Sequence, residues 1–347
     1  MDVELEKERI VVKLQCMDHY IPILLPILAS SLFCERTQIE IDSVKNRVIQ
    51  EINSTLPSAN QDFLHRTAFG NMGYGMPLKG TAQCVQQVTA TKFNQFIHKN
   101  LQFSKIAIGA NCIEQHEEFS RLLDGLLSKY SPSDPEVSKR NIYQGGIGHV
   151  VTDNPQTQVT LCYPCSSWAD NNFPVFSVLQ TILGDATSFS TGGPGKGMHA
   201  RAVQKVFQHH EEVESCKAIR TVFQDAGLFG IQIEGQEENT IKMINTSKME
   251  LRELGENVTA EEVERAKNIL KINVLNTLSR PESRTEEMAR NLLAFGELRL
   301  DSYIKVIDNV SQERVLNVAK NMVRMNPTVT IIGGRTNKLN EAIGCFK

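Results

Sequence analysis

Four glycines and a proline stand within seven residues in Gly192-Gly193-Pro194-Gly195-Lys196-Gly197-Met198, in the stretch Ser188 to Met198. The chemistry such a run offers is main-chain contact. Glycine lets another backbone approach closely, and Pro194 fixes one φ, so the loop is more than a floppy spacer. Lys196 offers either a hydrogen bond to a peptide carbonyl or plain solvation. Spacing excludes a Walker A phosphate loop, because the residue five before Gly195 is Ser190 and Lys196 precedes Gly197 rather than a magnesium-holding hydroxyl. A dinucleotide loop needs a preceding parallel strand, and the pattern Phe176, Leu179, Ile182, Leu183 reads as a helix. A second apolar pattern, with Val203, Val206 and Phe207, starts near Met198. A glycine-rich turn of no function is the plain alternative.

Other residues with chemical potential are fewer. Glu211, Glu212 and Glu214 follow the loop and suit the sensing of positive charge, although an acidic run is also an ordinary solvated surface. Cys162 and Cys165 invite a redox reading. They end an alternating run, Gln158 to Cys162, whereas a redox pair sits at a helix start, so they read as reduced strand-end cysteines.

The elements that must carry these residues mix helices with short strands. Thr37-x-x-Glu40 and Thr259-x-x-Glu262 are capping boxes that open long helices, with Ile41, Val44, Val48 and Ile52 striping the first and Val263, Ala266, Ile269, Leu270 and Val274 the second. Strands at His149–Val151, Val159–Cys162, Ile219–Phe223 and Leu228–Ile233 lie too close together for helical crossovers, which predicts a mostly antiparallel sheet. Val88 to Ala110 and Val310 to Gly334 share one plan. In each a hydroxyl N-cap (Thr89, Ser311) opens an amphipathic helix ending in Lys-Asn, and a short strand follows. The expected fold is therefore α+β: two repeated domains, helices layered on mostly antiparallel sheets. The first spans 1–130 and the second 142–347, with a proline-bearing linker at 131–141.

The 347 residues, 22% of them charged, with a net charge of −3, argue against a nucleic-acid partner and permit a cationic peptide. No segment has the length and apolarity of a membrane span. The longest apolar run, Ile21 to Phe33, is too short and carries Pro22 and Pro26, so it reads as a buried helix. At the N-terminus, Val3, Leu5, Ile10, Val12 and Leu14 alternate imperfectly as a strand, and the acidic start is unlike an Arg-rich transit peptide.

Phe189 to Met198 (FSTGGPGKGM) resembles, almost residue for residue, the glycine-rich loop of the α subunits of mitochondrial processing peptidases, in the pitrilysin/insulinase superfamily. Phe69 to Thr81 (FGNMGYGMPLKGT) resembles that superfamily's aromatic-glycine stretch, and Leu278 to Leu298 (LSRPESRTEEMARNLLAFGEL) its C-terminal helix pair. Active members carry His-x-x-Glu-His, which binds zinc. Here the eight histidines never take that spacing, and Glu51, where a third ligand would stand, reads as a solvated or salt-bridged residue.

The resemblance implies a non-catalytic chain with no cofactor of its own. It further implies a zinc-bearing catalytic β subunit as partner, presequence peptides as ligands of Gly192–Met198, and a place in the mitochondrial matrix, possibly beside the inner membrane. It also implies a first domain shortened at its front. A structural core subunit of the respiratory cytochrome bc1 complex is the relative that shares this two-domain plan.

Overall fold

The computed structural model of the chain describes residues 1–54, 60–101, 105–111, 116–128, 141–187 and 198–333. The helices are α1 (Ile21–Phe33), α2 (Gln38–Ser54), α3 (Asn60–Phe69), α4 (Ala82–Gln86), α5 (Ala90–Asn100), α6 (His116–Leu127), α7 (Phe173–Leu183), α8 (Thr240–Glu256), α9 (Ala260–Ser279), α10 (Pro281–Phe295), α11 (Leu300–Asp308) and α12 (Gln312–Met322). The strands are β1 (Asp2–Leu5), β2 (Ile10–Lys13), β3 (Gly146–Val151), β4 (Gln156–Pro164), β5 (Asp185–Thr187), β6 (Val213–Val222), β7 (Gly227–Gln236) and β8 (Thr328–Gly333).

Two compact units form, each gathered from separated stretches. One comprises Met1–Thr55, Leu78–Lys139 and Thr277–Leu300; the other comprises Leu56–Pro77, Arg140–Asn276 and Asp301–Lys347. Residues 131–140 of the proline-bearing segment lie outside the described residues.

In the first unit the N-terminal residues make a hairpin where the alternation suggests one strand. Glu6, Lys7, Glu8 and Arg9 turn the chain, closed by Glu6 N–H donating to Arg9 O at 2.9 Å and by the Arg9–Glu6 ion pair at 2.5 Å. β1 and β2 then pair from Asp2↔Lys13 to Leu5↔Ile10. The first capping box forms as read, with Thr37 N–H donating to Glu40 Oε2 at 2.8 Å.

Three expectations fail in this unit. α1 is a helix, yet Ile23 and Ile27 are exposed and only Phe33 is buried. On α2, Ile41 is buried and Val44 is not. Residues 106–110, after α5, run without strand structure, since no described strand lies beside them to complete the ladder.

The second unit is built on a six-stranded sheet of order β3-β8-β4-β7-β6-β5. Every pairing is antiparallel except β3 with β8, which brings the chain's last described strand into the middle of the sheet. The fold class is thus α+β with a mixed, mainly antiparallel sheet. One sheet face, with Val159, Leu161, Ile231, Ile233 and Val329, forms a core with α7, α8 and α12, whose Leu179, Leu251 and Val315 are fully buried. On α9 the predicted stripe buries Val263 and Ala266, but Ile269 is exposed.

The opposite sheet face is covered over only part of its length. Leu64, Ala68 and Phe69 of α3 pack there with Cys162, Leu228 and Phe223. The aromatic-glycine stretch braces this corner: Tyr74 stacks on Phe223 at 4.0 Å and donates to Asp225 at 2.6 Å. Gly75 permits the bend, because a Cβ there would lie 1.8 Å from Gly70 O.

Candidate functional site

Residues 188–197, and with them Gly192, Gly193, Pro194, Gly195, Lys196 and Gly197, lie outside the described residues; Met198 is described and is half exposed. What the structure gives is the frame on which the glycine run is mounted. The largely buried α7 ends at Gly184, whose φ of +62° suits glycine. A Cβ there would come within 2.5 Å of Ala200 Cβ, so the two stems of the loop meet at this point.

The entry stem is β5, a three-residue strand between helix and loop that the sequence reading passes over. It pairs antiparallel to β6, so the dinucleotide-type βαβ arrangement is absent around it. The exit stem turns at Arg201 and continues as Ala202–Phe207, a π-helical turn in which Gln208 N–H reaches Val203 O at 3.0 Å, where the apolar pattern suggests an ordinary helix. Two basic residues four apart on this stem, Arg201 and Lys205, are held by acids of α9 and α8 respectively.

Arg201 is 2% exposed and forks onto Glu262, with Nε–Oε1 at 2.6 Å and Nη2–Oε2 at 2.9 Å, while Nη2 also donates to Asn257 O at 2.9 Å. Glu262 is at once the capping-box carboxylate, accepting Thr259 N–H at 2.8 Å. Burial pushes its carboxyl up, but the hydrogen bonds from Arg201 and Thr259 prevail and hold it below the usual range. Lys205 pairs with Glu253. Beneath both bases lies Glu250, 1% exposed, its carboxyl pushed up to about 7 by burial against the pull of Lys205. The exit stem is thereby bolted to the start of α9.

Beside the entry stem runs a row of polar side chains. Thr187 of β5 stands opposite Ser215 of β6, Ser215 opposite Glu234 of β7, and Glu234 opposite Gln158 of β4. Direct partners in antiparallel strands share a face, so the row crosses four strands on the face opposite the main core and ends at Thr187, the last described residue of the entry stem. Gln158 Nε2 donates to Glu234 Oε1 at 2.5 Å, Gln232 Nε2 to the same oxygen at 3.1 Å, and Ser215 Oγ to Oε2 at 2.8 Å. Glu214, one of the three acids singled out in the sequence, accepts from Gln156 at the edge of the row, and Glu212 lies 3.6 Å from His210. Glu211 is exposed.

Glu234 escaped the sequence reading. Its signal was there in β7, where Gln232, Glu234 and Gln236 alternate with Ile231, Ile233 and Gly235.

The remaining candidates fall into place as structural. Cys162 is fully buried and its thiol is pushed far up, while Cys165 is raised to about 12 by burial, so neither forms a thiolate at neutral pH. Glu51 is salt-bridged to Lys79 at 2.6 Å. Among the described residues no three His, Cys, Asp or Glu side chains are grouped to hold a metal ion, and no described helix is long and apolar enough to cross a membrane.

Comparison with known proteins places this frame. The Peptidase M16 inactive domain family matches residues 87–270, more than half of the chain. A probable mitochondrial-processing peptidase subunit alpha-1 of Arabidopsis thaliana is 26% identical, over 86% of this chain and 63% of its own length. The mitochondrial-processing peptidase subunit alpha of Solanum tuberosum is 24% identical, over 94% of this chain and 66% of its own. The chain thus spans just under two thirds of the length of these relatives. Among solved structures, a chain of Complex III2 from Candida albicans superposes with a TM-score of 0.76 at 17% identity, covering 96% of this chain and 81% of that one, a likeness of fold.

Proposed function

This chain belongs to the peptidase M16 family, through that family's inactive domain, and we propose that it is a non-catalytic recognition subunit of a mitochondrial processing peptidase. In this reading it binds the basic targeting presequences of imported precursors in the matrix and presents them to a zinc-bearing β subunit that cuts them. The zinc, held by the partner, supplies the hydrolytic chemistry; this chain supplies main-chain and polar contacts.

The observation that carries the reading is the mounting of the glycine run. One stem is a sheet strand, Asp185–Thr187, and the other is locked by the buried Arg201–Glu262 fork. A glycine-rich run whose two stems are held can follow varied peptide backbones without dissolving the fold around it. The carboxylates of Glu214 and Glu234 beside the entry stem suit a basic ligand.

One observation favours a second reading, a structural core subunit of the cytochrome bc1 complex: the fold likeness to a Complex III2 chain. Purification of the native assembly separates the two. The recognition reading expects a partner chain carrying His-x-x-Glu-His and presequence cleavage that a chelator abolishes. Co-purification with haem-bearing bc1 subunits and no such cleavage overturns it.

A further inference from the structure

The six-stranded sheet has two edges, and they are built differently. At one edge β5 is only three residues long, and Asp185 turns its carboxylate onto Ala218 N–H at 3.0 Å. At the other stands β3, Gly-Ile-Gly-His-Val-Val, which carries no proline, lysine or other fixed charge, the devices that commonly keep a free edge from pairing. Its register fixes what it offers. Gly146 N–H donates to Pro327 O at 3.0 Å and Thr152 N–H to Gly333 O at 2.7 Å, so in this parallel ladder the even-numbered residues bond to β8. Ile147, His149 and Val151 therefore turn their N–H and C=O groups away from the sheet. The side chains of Ile147 and Val151 are exposed.

The start of this edge lines an open groove of about 330 Å³ whose other wall is α3. The helix packs directly onto the strand at Gly148, where a Cβ would fall 2.6 Å from Thr67 Oγ1. Arg66 of the same helix lines the groove with Gly146 and Ile147. It is exposed, its Nε donates to Asn71 Oδ1 at 3.0 Å, and it forms no ion pair among the described residues. A strand edge with unpaired main-chain groups thus shares one groove with a guanidinium that a neutral partner orients. We propose that the β3 edge and Arg66 form a docking groove for an extended segment of a partner protein that carries an acidic side chain. The segment adds a strand beyond β3 through Ile147, His149 and Val151, and its carboxylate meets the Arg66 fork. Main-chain bonds supply the affinity of such an added strand, and the planar guanidinium selects a carboxylate. The groove lies at the sheet edge opposite β5, and its ligand is opposite in charge to a basic presequence, so this site is independent of the recognition reading.

The test is fluorescence anisotropy with the full chain and short labelled peptides of alternating threonine and valine, one bearing a glutamate, one a glutamine at the same place, and one the glutamate with alternate amides N-methylated. The unaltered chain should prefer the glutamate peptide to the glutamine peptide by about tenfold, the worth of one charge-assisted hydrogen bond. Arg66→Gln, on the surface, should bind the two alike. Ile147→Pro removes an outward N–H and spares the ladder to β8, so it should weaken both peptides by about tenfold or more. The N-methylated peptide should not bind, and it serves if Ile147→Pro does not fold. Binding that survives N-methylation, or a glutamate preference undiminished in Arg66→Gln, overturns the proposal, as does failure of the unaltered chain to bind the glutamate peptide. Sedimentation adds the remaining outcome: a dimer of the unaltered chain that Ile147→Pro dissolves gives the edge to a second copy and likewise overturns it.

Discussion

Arg201, itself buried, grips the part-exposed carboxylate of Glu262 through two hydrogen bonds of 2.6 and 2.9 Å, four residues after the glycine run ends. Because the same carboxylate caps α9 through Thr259, the loop stem and the helix start share one ion pair. Removing Arg201 leaves a part-exposed carboxylate that keeps its cap partner, so the cost falls toward the lower end of that for a buried pair, about 2–3 kcal/mol. Arg201→Met should therefore destabilise the chain by that order in urea unfolding. Arg201→Met combined with Glu262→Gln, which retains the cap, should recover most of the loss.

Glu250 makes stability depend on pH. Its carboxyl titrates near 7 when folded, against 4.5 as the ordinary value. Below about 4.5 the group is protonated in both states. Between there and about 7 the unfolded chain ionises first, so folding loses stability as pH rises, and above 7 the loss is constant. Arg201 and Lys205 pull the carboxyl down, while Glu253 and Glu262 push it up. Glu250→Gln should be more stable than the parent by roughly 2–3 kcal/mol at pH 8, and the difference should vanish at pH 4. Paired urea titrations at the two pH values check the sign.

At Gly184 an added methyl group meets Ala200 at 2.5 Å and a φ of +62° together. Gly184→Ala should cost about 1–3 kcal/mol from crowding alone, and more from the backbone. Ala200→Gly should return only the crowding part in a double-mutant cycle.

Thiol reactivity separates the cysteines. Cys34 and Cys84 are exposed and should alkylate at pH 8 within minutes, whereas Cys162, Cys165 and Cys216, all held protonated by burial, should react only after unfolding. Peptide mapping after brief treatment with iodoacetamide reads this directly.

Local signals were legible in the sequence. The Thr37–Glu40 and Thr259–Glu262 capping boxes, the Thr89 and Ser311 N-caps and the apolar helical pattern of α7 each depend on residues a few places apart. What required the structure was assembled across distance. Gln158 and Glu234 are 76 residues apart and meet only because β4 pairs with β7 in one register. The Arg201–Glu262 pair spans 61 residues, and nothing in the local pattern marks Arg201 as buried. The exposed side of α1 and the absence of a strand at residues 106–110 show the other limit: helix and strand propensity are local, while burial and pairing need partners from elsewhere in the chain.

In the proposed function, Gly192 to Met198 serve ligand recognition. Its most direct test is deletion of Gly192 to Gly195 in a complex with the zinc-bearing subunit, followed by co-purification and steady-state cleavage of several precursors. An intact heterodimer with weakened presequence binding and a lower kcat/KM for every precursor is expected. An intact heterodimer whose cleavage kinetics are unchanged across the precursors contradicts it.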